Sequence, residues 1–145
     1  MSDRLTMQDP RHQYPRPPFP RQPQPAPGLV AKMEPKPDHG EESYRGHGRL
    51  KGRRALITGG DSGIGRAIAV AYAREGADVA ISYLPSEEAD AREVIALIEA
   101  EGVKALALPG DVRDEAWNAT MVARTLEAFG GLDILVVNAG RQQFR

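Results

Sequence analysis

A chain of 145 residues is long enough for one ordinary domain, and a 41% hydrophobic content can supply its core. A formal net charge of -1 directs it at neither nucleic acid nor an anionic membrane, and the absence of cysteine excludes disulfides, thiolate catalysis and cysteine-based zinc sites. No apolar run approaches the ~20 residues needed to cross a bilayer, and the N-terminus has no signal-peptide-like apolar segment, so the expectation is a cytoplasmic protein with no membrane or nucleic-acid partner.

The chain divides into two compositional regimes. Ten of its twelve prolines lie between Pro10 and Pro37, and all three histidines, His12, His39 and His47, precede residue 50. Proline fixes φ and removes backbone donors, so residues 1–49 read as an extended arm that cannot fold alone. Residues 1–27 are expected to be a solvated tail, the alternative being a docking arm or a ligand for a proline-binding module. From Met33 to Leu50 the arm carries the apolar anchors Met33, Tyr44 and Leu50, and is expected to order against the domain or a neighbouring subunit.

From residue 50 onward, short apolar runs alternate with helical segments, the pattern of an α/β protein with a doubly wound parallel sheet. Strands are expected at Ala55 to Thr58, Asp78 to Tyr83, Ala105 to Pro109 and Asp133 to Val137. Each is a nearly unbroken apolar run, as parallel strands covered on both faces require. Three helices separate them. The first opens with Arg66-Ala67-Ile68-Ala69. The second buries Ala91, Val94, Ile95 and Ile98 and stops at Gly102. The third is capped by Asp114, buries Val122, Thr125, Leu126 and Phe129, and ends at Gly130-Gly131.

The first strand runs straight into Thr58-Gly59-Gly60-Asp61-Ser62-Gly63-Ile64-Gly65. A strand-to-helix turn gathers backbone N–H groups and the positive end of a helix dipole at one point, which suits a pyrophosphate. Gly59 would permit the tight turn, Gly63 would let the backbone approach the phosphates, and Gly65 would let helix and sheet pack closely. Ser62 adds a hydroxyl. Any tight turn of this kind tolerates glycine, so the loop alone is weak evidence.

The Thr-Gly-x-x-x-Gly-x-Gly spacing resembles the cofactor loop of short-chain dehydrogenases/reductases, and the resemblance covers residues 44 to 145. It implies that Asp111 accepts from an adenine amino group, with a backbone contact at Val112, although Asp is also favoured in turns for local reasons. It implies that Asn138-Ala139-Gly140 lets the adenosine ribose lie against the backbone. The family often has a second Asn where this chain has Val137. At the end of the second strand, Ile81-Ser82-Tyr83-Leu84, no Asp or Glu is present to bind a ribose 2′-hydroxyl, and no Arg or Lys stands ready for a 2′-phosphate. The resemblance implies the N-terminal half of a Rossmann-type fold with NAD or NADP as its cofactor, and these residues do not choose between the two. The candidate cofactor-binding positions are Gly59, Asp61, Ser62, Gly63, Ile64 and Gly65, then Tyr83, then Asp111 and Val112, and finally Asn138, Ala139 and Gly140. Tyr83-Leu84-Pro85-x-Glu87-Glu88 and Pro109-Gly110-Asp111 are similar to a bacterial subgroup with a proline-containing N-terminal extension, glucose-dehydrogenase-like or carbonyl-reductase-like, whose extension packs on a tetramer. The resemblance thus implies a homo-oligomer acting on a small alcohol or carbonyl.

The family's acid/base pair is a tyrosine with a lysine four residues later. Here Tyr14, Tyr44, Tyr72 and Tyr83 are followed at that spacing by Pro18, Gly48, Gly76 and Glu87. The chain is expected to be C-terminally truncated and inactive alone, with no catalytic residue and no metal site of its own. Two alternatives stand beside the enzyme half: a non-catalytic dinucleotide-binding module or inactive remnant, and a methyltransferase built on the same layers.

Overall fold

The computed structural model describes residues 7–141. The first residues of the expected tail and the last of the expected post-strand segment, Gln142 to Arg145, lie outside them.

Four parallel strands form the sheet: β1 Arg54–Thr58, β2 Asp78–Tyr83, β3 Ala105–Pro109 and β4 Ile134–Val136. Their spatial order is β3-β2-β1-β4, with Ala55 opposite Val79 on one side and opposite Ile134 on the other. Three helices connect them: α1 Gly63–Arg74, α2 Glu88–Ala100 and α3 Glu115–Phe129. Alternation along the strands sends side chains to two separate cores. Ile57, Val79, Ile81 and Tyr83 pack against Ala69, Ala73, Ala91, Val94 and Ile98 of α1 and α2. Leu56, Ala80 and Leu108 face the other way, toward Met121 and Phe129 of α3. The architecture is Rossmann-like.

The second and third expected strands agree with these bounds, the first begins one residue earlier at Arg54, and the fourth is shorter than Asp133 to Val137. Asp133 instead receives the Arg54 backbone N–H and its Nε, at 2.9 and 2.8 Å. In α3 the buried stripe is Met121, Thr125 and Phe129, while Leu126 is exposed. The expected stripe sat one position too far round the helix at Val122 and Leu126. Asp114 caps α3 by accepting from the N–H groups of Ala116 and Trp117, and Gly130 ends it in the left-handed region at φ 74°.

Ahead of β1 the chain contains no strand among the described residues, only short 3-10 turns at Pro10–His12 and Val30–Lys32. It is nonetheless held. The Arg74 guanidinium donates to the carbonyls of Gly40, Glu41 and Tyr44 at 2.7, 2.6 and 2.6 Å. Glu75 accepts from the Tyr44 hydroxyl and from the N–H groups of His47 and Arg49. Leu50 packs on the α1–α2 core, but Met33 is exposed and Val30 is the buried apolar residue of this stretch. A charged pair of residues at the end of α1 therefore reads the arm's backbone, a kind of anchor that apolar patterning does not register.

Candidate functional site

The turn between β1 and α1 is tight enough to require glycine at two positions. Gly59 adopts φ 65°, where a Cβ is strained. A Cβ at Gly65 would lie 1.9 Å from the Gly59 carbonyl oxygen, so the helix packs directly on the turn. Gly63, at φ 50°, faces open space. There α1 begins, with Ser62 as its N-cap in extended conformation and no side-chain bond to the helix. The first N–H groups of a helix have no internal acceptor, and here no side chain closes them off. Ile64 is exposed beside them, so a bare run of backbone at Gly63 and Ile64 is presented where the helix dipole is positive.

The end of β4 braces this turn. Asn138 Nδ2 donates to the carbonyls of Thr58 and Gly59, both at 3.0 Å. The Thr58 hydroxyl accepts from the backbone N–H groups of Asn138 and Ala139 at 3.0 and 3.1 Å. The structure thus brings Asn138 and Ala139 against the glycine turn, where Ala139 Cα would be 3.1 Å from a Cβ on Gly59. Gly140 follows on the exposed side. Small residues at 139 and 140 leave the carboxyl ends of β1 and β4 accessible.

The remaining sequence-predicted positions are more varied. Asp61 is only 1% exposed. Burial pushes its carboxyl above the ordinary range, with the charge of Asp90 adding to the effect, and its Oδ2 has no partner among the described residues. Tyr83 turns its ring into the α1–α2 core, and its hydroxyl donates to Glu88 Oε2 at 2.7 Å. Burial and that carboxylate push the phenol up to about 12. Only the Tyr83 main chain is left to face a ligand, and its carbonyl already accepts from Gly110. Asp111 lies just beyond β3, paired with Arg113, whose side-chain and backbone N–H bonds hold its carboxyl down to about 2. The Val112 carbonyl accepts from Asn118 at 2.9 Å. The local turn role allowed for Asp111 is therefore present in the structure.

Sequence reasoning passed over two side chains that shape the site. Thr58 was read only as the start of the motif, yet its hydroxyl joins β1 to the β4 turn. Arg66, directly after Gly65, is 2% exposed and paired to Glu41 and Glu93. A Thr immediately before the first glycine was the available signal for the former; the latter depends on long-range partners. A cleft of about 570 Å³ between the arm and α2 is lined by Lys36, Glu41, Arg66 and Glu93, among others, and includes none of the predicted cofactor positions. Among the described residues no group of three or more His, Cys, Asp or Glu is placed to hold a metal, and no helix is long and apolar enough to cross a membrane.

Strand order and the strand-to-helix glycine turn define a Rossmann-like α/β unit. Residues 53–145 match the family model described as short chain dehydrogenase, and the chain belongs to that family. It is 58% identical over 136 residues to the uncharacterised oxidoreductase YghA of Escherichia coli (strain K12), covering 94% of this chain and 46% of that protein. It is 51% identical over 141 residues to the uncharacterised oxidoreductase YhdF of Bacillus subtilis (strain 168), covering 97% of this chain and 45% of the relative. Among solved structures, a short chain dehydrogenase from Burkholderia cenocepacia J2315 in complex with NADP is 55% identical with a TM-score of 0.62, over 64% of this chain and 38% of that one. The chain thus spans less than half the length of these relatives.

Proposed function

We propose that residues 50–145 are the dinucleotide-binding half of an NAD(P)-dependent oxidoreductase interconverting an alcohol and a carbonyl, with residues 1–49 as a separate arm. The observation that carries the reading is the uncapped N-terminus of α1, opening from a glycine turn that Asn138 braces. A pyrophosphate fits there because Gly63 leaves open space and Gly59 and Gly65 remove the side chains that would fill the cradle. In this proposal the N–H groups of Gly63, Ile64 and Gly65 hold the pyrophosphate, helped by the Ser62 hydroxyl. Asp61 and the Tyr83 main chain flank the adenosine ribose, and Asp111 with Val112 takes the adenine once Asp111 exchanges its Arg113 bond. Asn138, Ala139 and Gly140 form the opposite wall. The bound nicotinamide would supply the hydride acceptor or donor. An assembly of several copies in the cytoplasm belongs to the same proposal.

The NADP complex of the Burkholderia protein supports NADP as the first probe. Calorimetric titration of the full chain with NADP and with NAD tests the reading: saturable binding of either supports it, and absence of both overturns it.

A further inference from the structure

Beneath the glycine turn lie four buried charged side chains to which the dinucleotide reading gives no pyrophosphate contact: Asp61, Arg66, Glu87 and Asp90. They come from the turn itself, the first turn of α1, the segment after β2 and the first turn of α2. Asp61 feels the charges of Asp90 and Arg66, and Glu87 feels those of Asp61 and Asp90. Three carboxyls beside one guanidinium leave an acidic excess in a place closed to solvent, and a buried charge is tolerable only when it is paired and hydrogen-bonded.

Much of that pairing comes from the arm. The Asp90 carboxylate, 0% exposed, accepts from the Val30 N–H at 2.7 Å and the Ala31 N–H at 3.3 Å. Arg66 donates its Nε to Glu41 at 2.8 Å and its Nη2 to Glu93 at 3.1 Å, while its Nη1 is buried without a partner among the described residues. Two members of the group beneath the turn thus bond to residues 25 and 60 positions earlier in the chain.

We infer that the docked arm is a positioning element for the dinucleotide turn, acting from Val30 through Asp90 and from Glu41 through Arg66. The inference rests on the dinucleotide reading above. Arg66 follows Gly65 directly, so its pair with Glu41 ties the first turn of α1 to the arm. Release of the arm strands the Asp90 carboxylate beside Asp61. The cheapest relief is for the turn and the start of α2 to separate and admit water, which displaces the backbone of Asp61 to Gly65 from the geometry that receives a pyrophosphate.

The test uses the full chain, calorimetric titration with NADP and NAD, and circular dichroism at the same temperature to confirm folding. Val30→Pro removes the nearest donor to Asp90. It does so at the first position of a 3-10 turn, after a Leu29 already extended at φ -102°, ψ 131°, as a following proline requires. It is expected to weaken NADP binding roughly three- to thirtyfold. Adding Asp90→Asn removes the stranded charge and is expected to restore affinity to within about twofold of the natural chain. An arm that matters only for packing leaves the double variant as weak as Val30→Pro, and that result overturns the inference. Glu41→Ala, which takes away the other link, is expected to weaken binding in the same direction and serves as the measure if Val30→Pro does not fold. A natural chain that binds NADP, with variants that bind it equally well, defeats the inference and leaves the dinucleotide reading standing. A natural chain that binds neither NADP nor NAD defeats both.

Discussion

A methyl group added at Gly65 would lie 1.9 Å from the Gly59 carbonyl oxygen, which is backbone and cannot swing aside as a side chain can. Gly65→Ala is therefore expected to cost about 1 to 3 kcal/mol in urea denaturation. It should also abolish NADP binding, because the turn must shift to make room. Asn138→Ala removes two 3.0 Å bonds from the same turn and leaves the Gly59 and Thr58 carbonyls short of a donor. A loss of about 1 to 3 kcal/mol follows, measured in the same way. Glu75 gives the clearest pH dependence. The Tyr44 hydroxyl, followed by the N–H groups of Arg49 and His47, holds its carboxyl down to about 2, against an ordinary 4.5. A depressed folded-state value means that this stabilisation is complete above 4.5 and disappears as pH falls toward about 2. The melting temperature of the natural chain should accordingly fall more steeply across that window than that of Glu75→Gln. Equal slopes would show that Glu75 does not hold the arm in solution.

At the scale of elements, α3 shows what local chemistry decides. Asp114 accepts from two N–H groups at its start, so Asp114→Ala is expected to cost about 1 kcal/mol in chemical denaturation with little effect on dinucleotide affinity. That cap, the glycine stop and the strand runs were all legible in the sequence, because each depends on neighbours a few residues away or on burial from both faces. The stripe of α3 was legible at Thr125 and Phe129 but not at Met121. Met121, Thr125 and Phe129 face the sheet at steps of four, and hydrophobicity alone could not distinguish that face from the adjoining one carrying Val122 and Leu126. The turn was legible as a motif, but its bracing was less so. Asn138 was read as leaving room for a ribose, and the structure adds a tie to the Thr58 and Gly59 carbonyls across eighty positions of sequence. For Asp111 the alternative of a local turn role was legible, and the structure supplies it through Arg113.

For the whole molecule, arm and sheet edge matter most. Composition marked the arm as a segment of its own, and in the structure Arg66, Arg74, Glu75 and Asp90 of the body secure it. Nothing in those four residues announces a strap before the tertiary structure brings the partners together. The opposite flank of the sheet is less well covered. Leu135 on β4 is 53% exposed and Val137 just beyond it 80%, and among the described residues β4 pairs with β1 alone. An exposed apolar edge is a template for association, so this chain is expected to show a concentration-dependent mass by light scattering. Leu135→Lys should reduce it, and a monodisperse monomer at every concentration would contradict the expectation.

Trp117, the sole tryptophan, lays its ring across Gly110, whose added Cβ would lie 2.1 Å from the indole, and its Nε1 is buried without a partner. Gly110 adjoins Asp111, the proposed place of the adenine. The 145 residues thus carry one tryptophan, its ring packed on the residue next to that end of the crevice. Any rearrangement of the Asp111–Arg113 pair on ligand entry would be heard in its emission, so a dye-free optical titration can report the adenine end separately from the heat released at the phosphates.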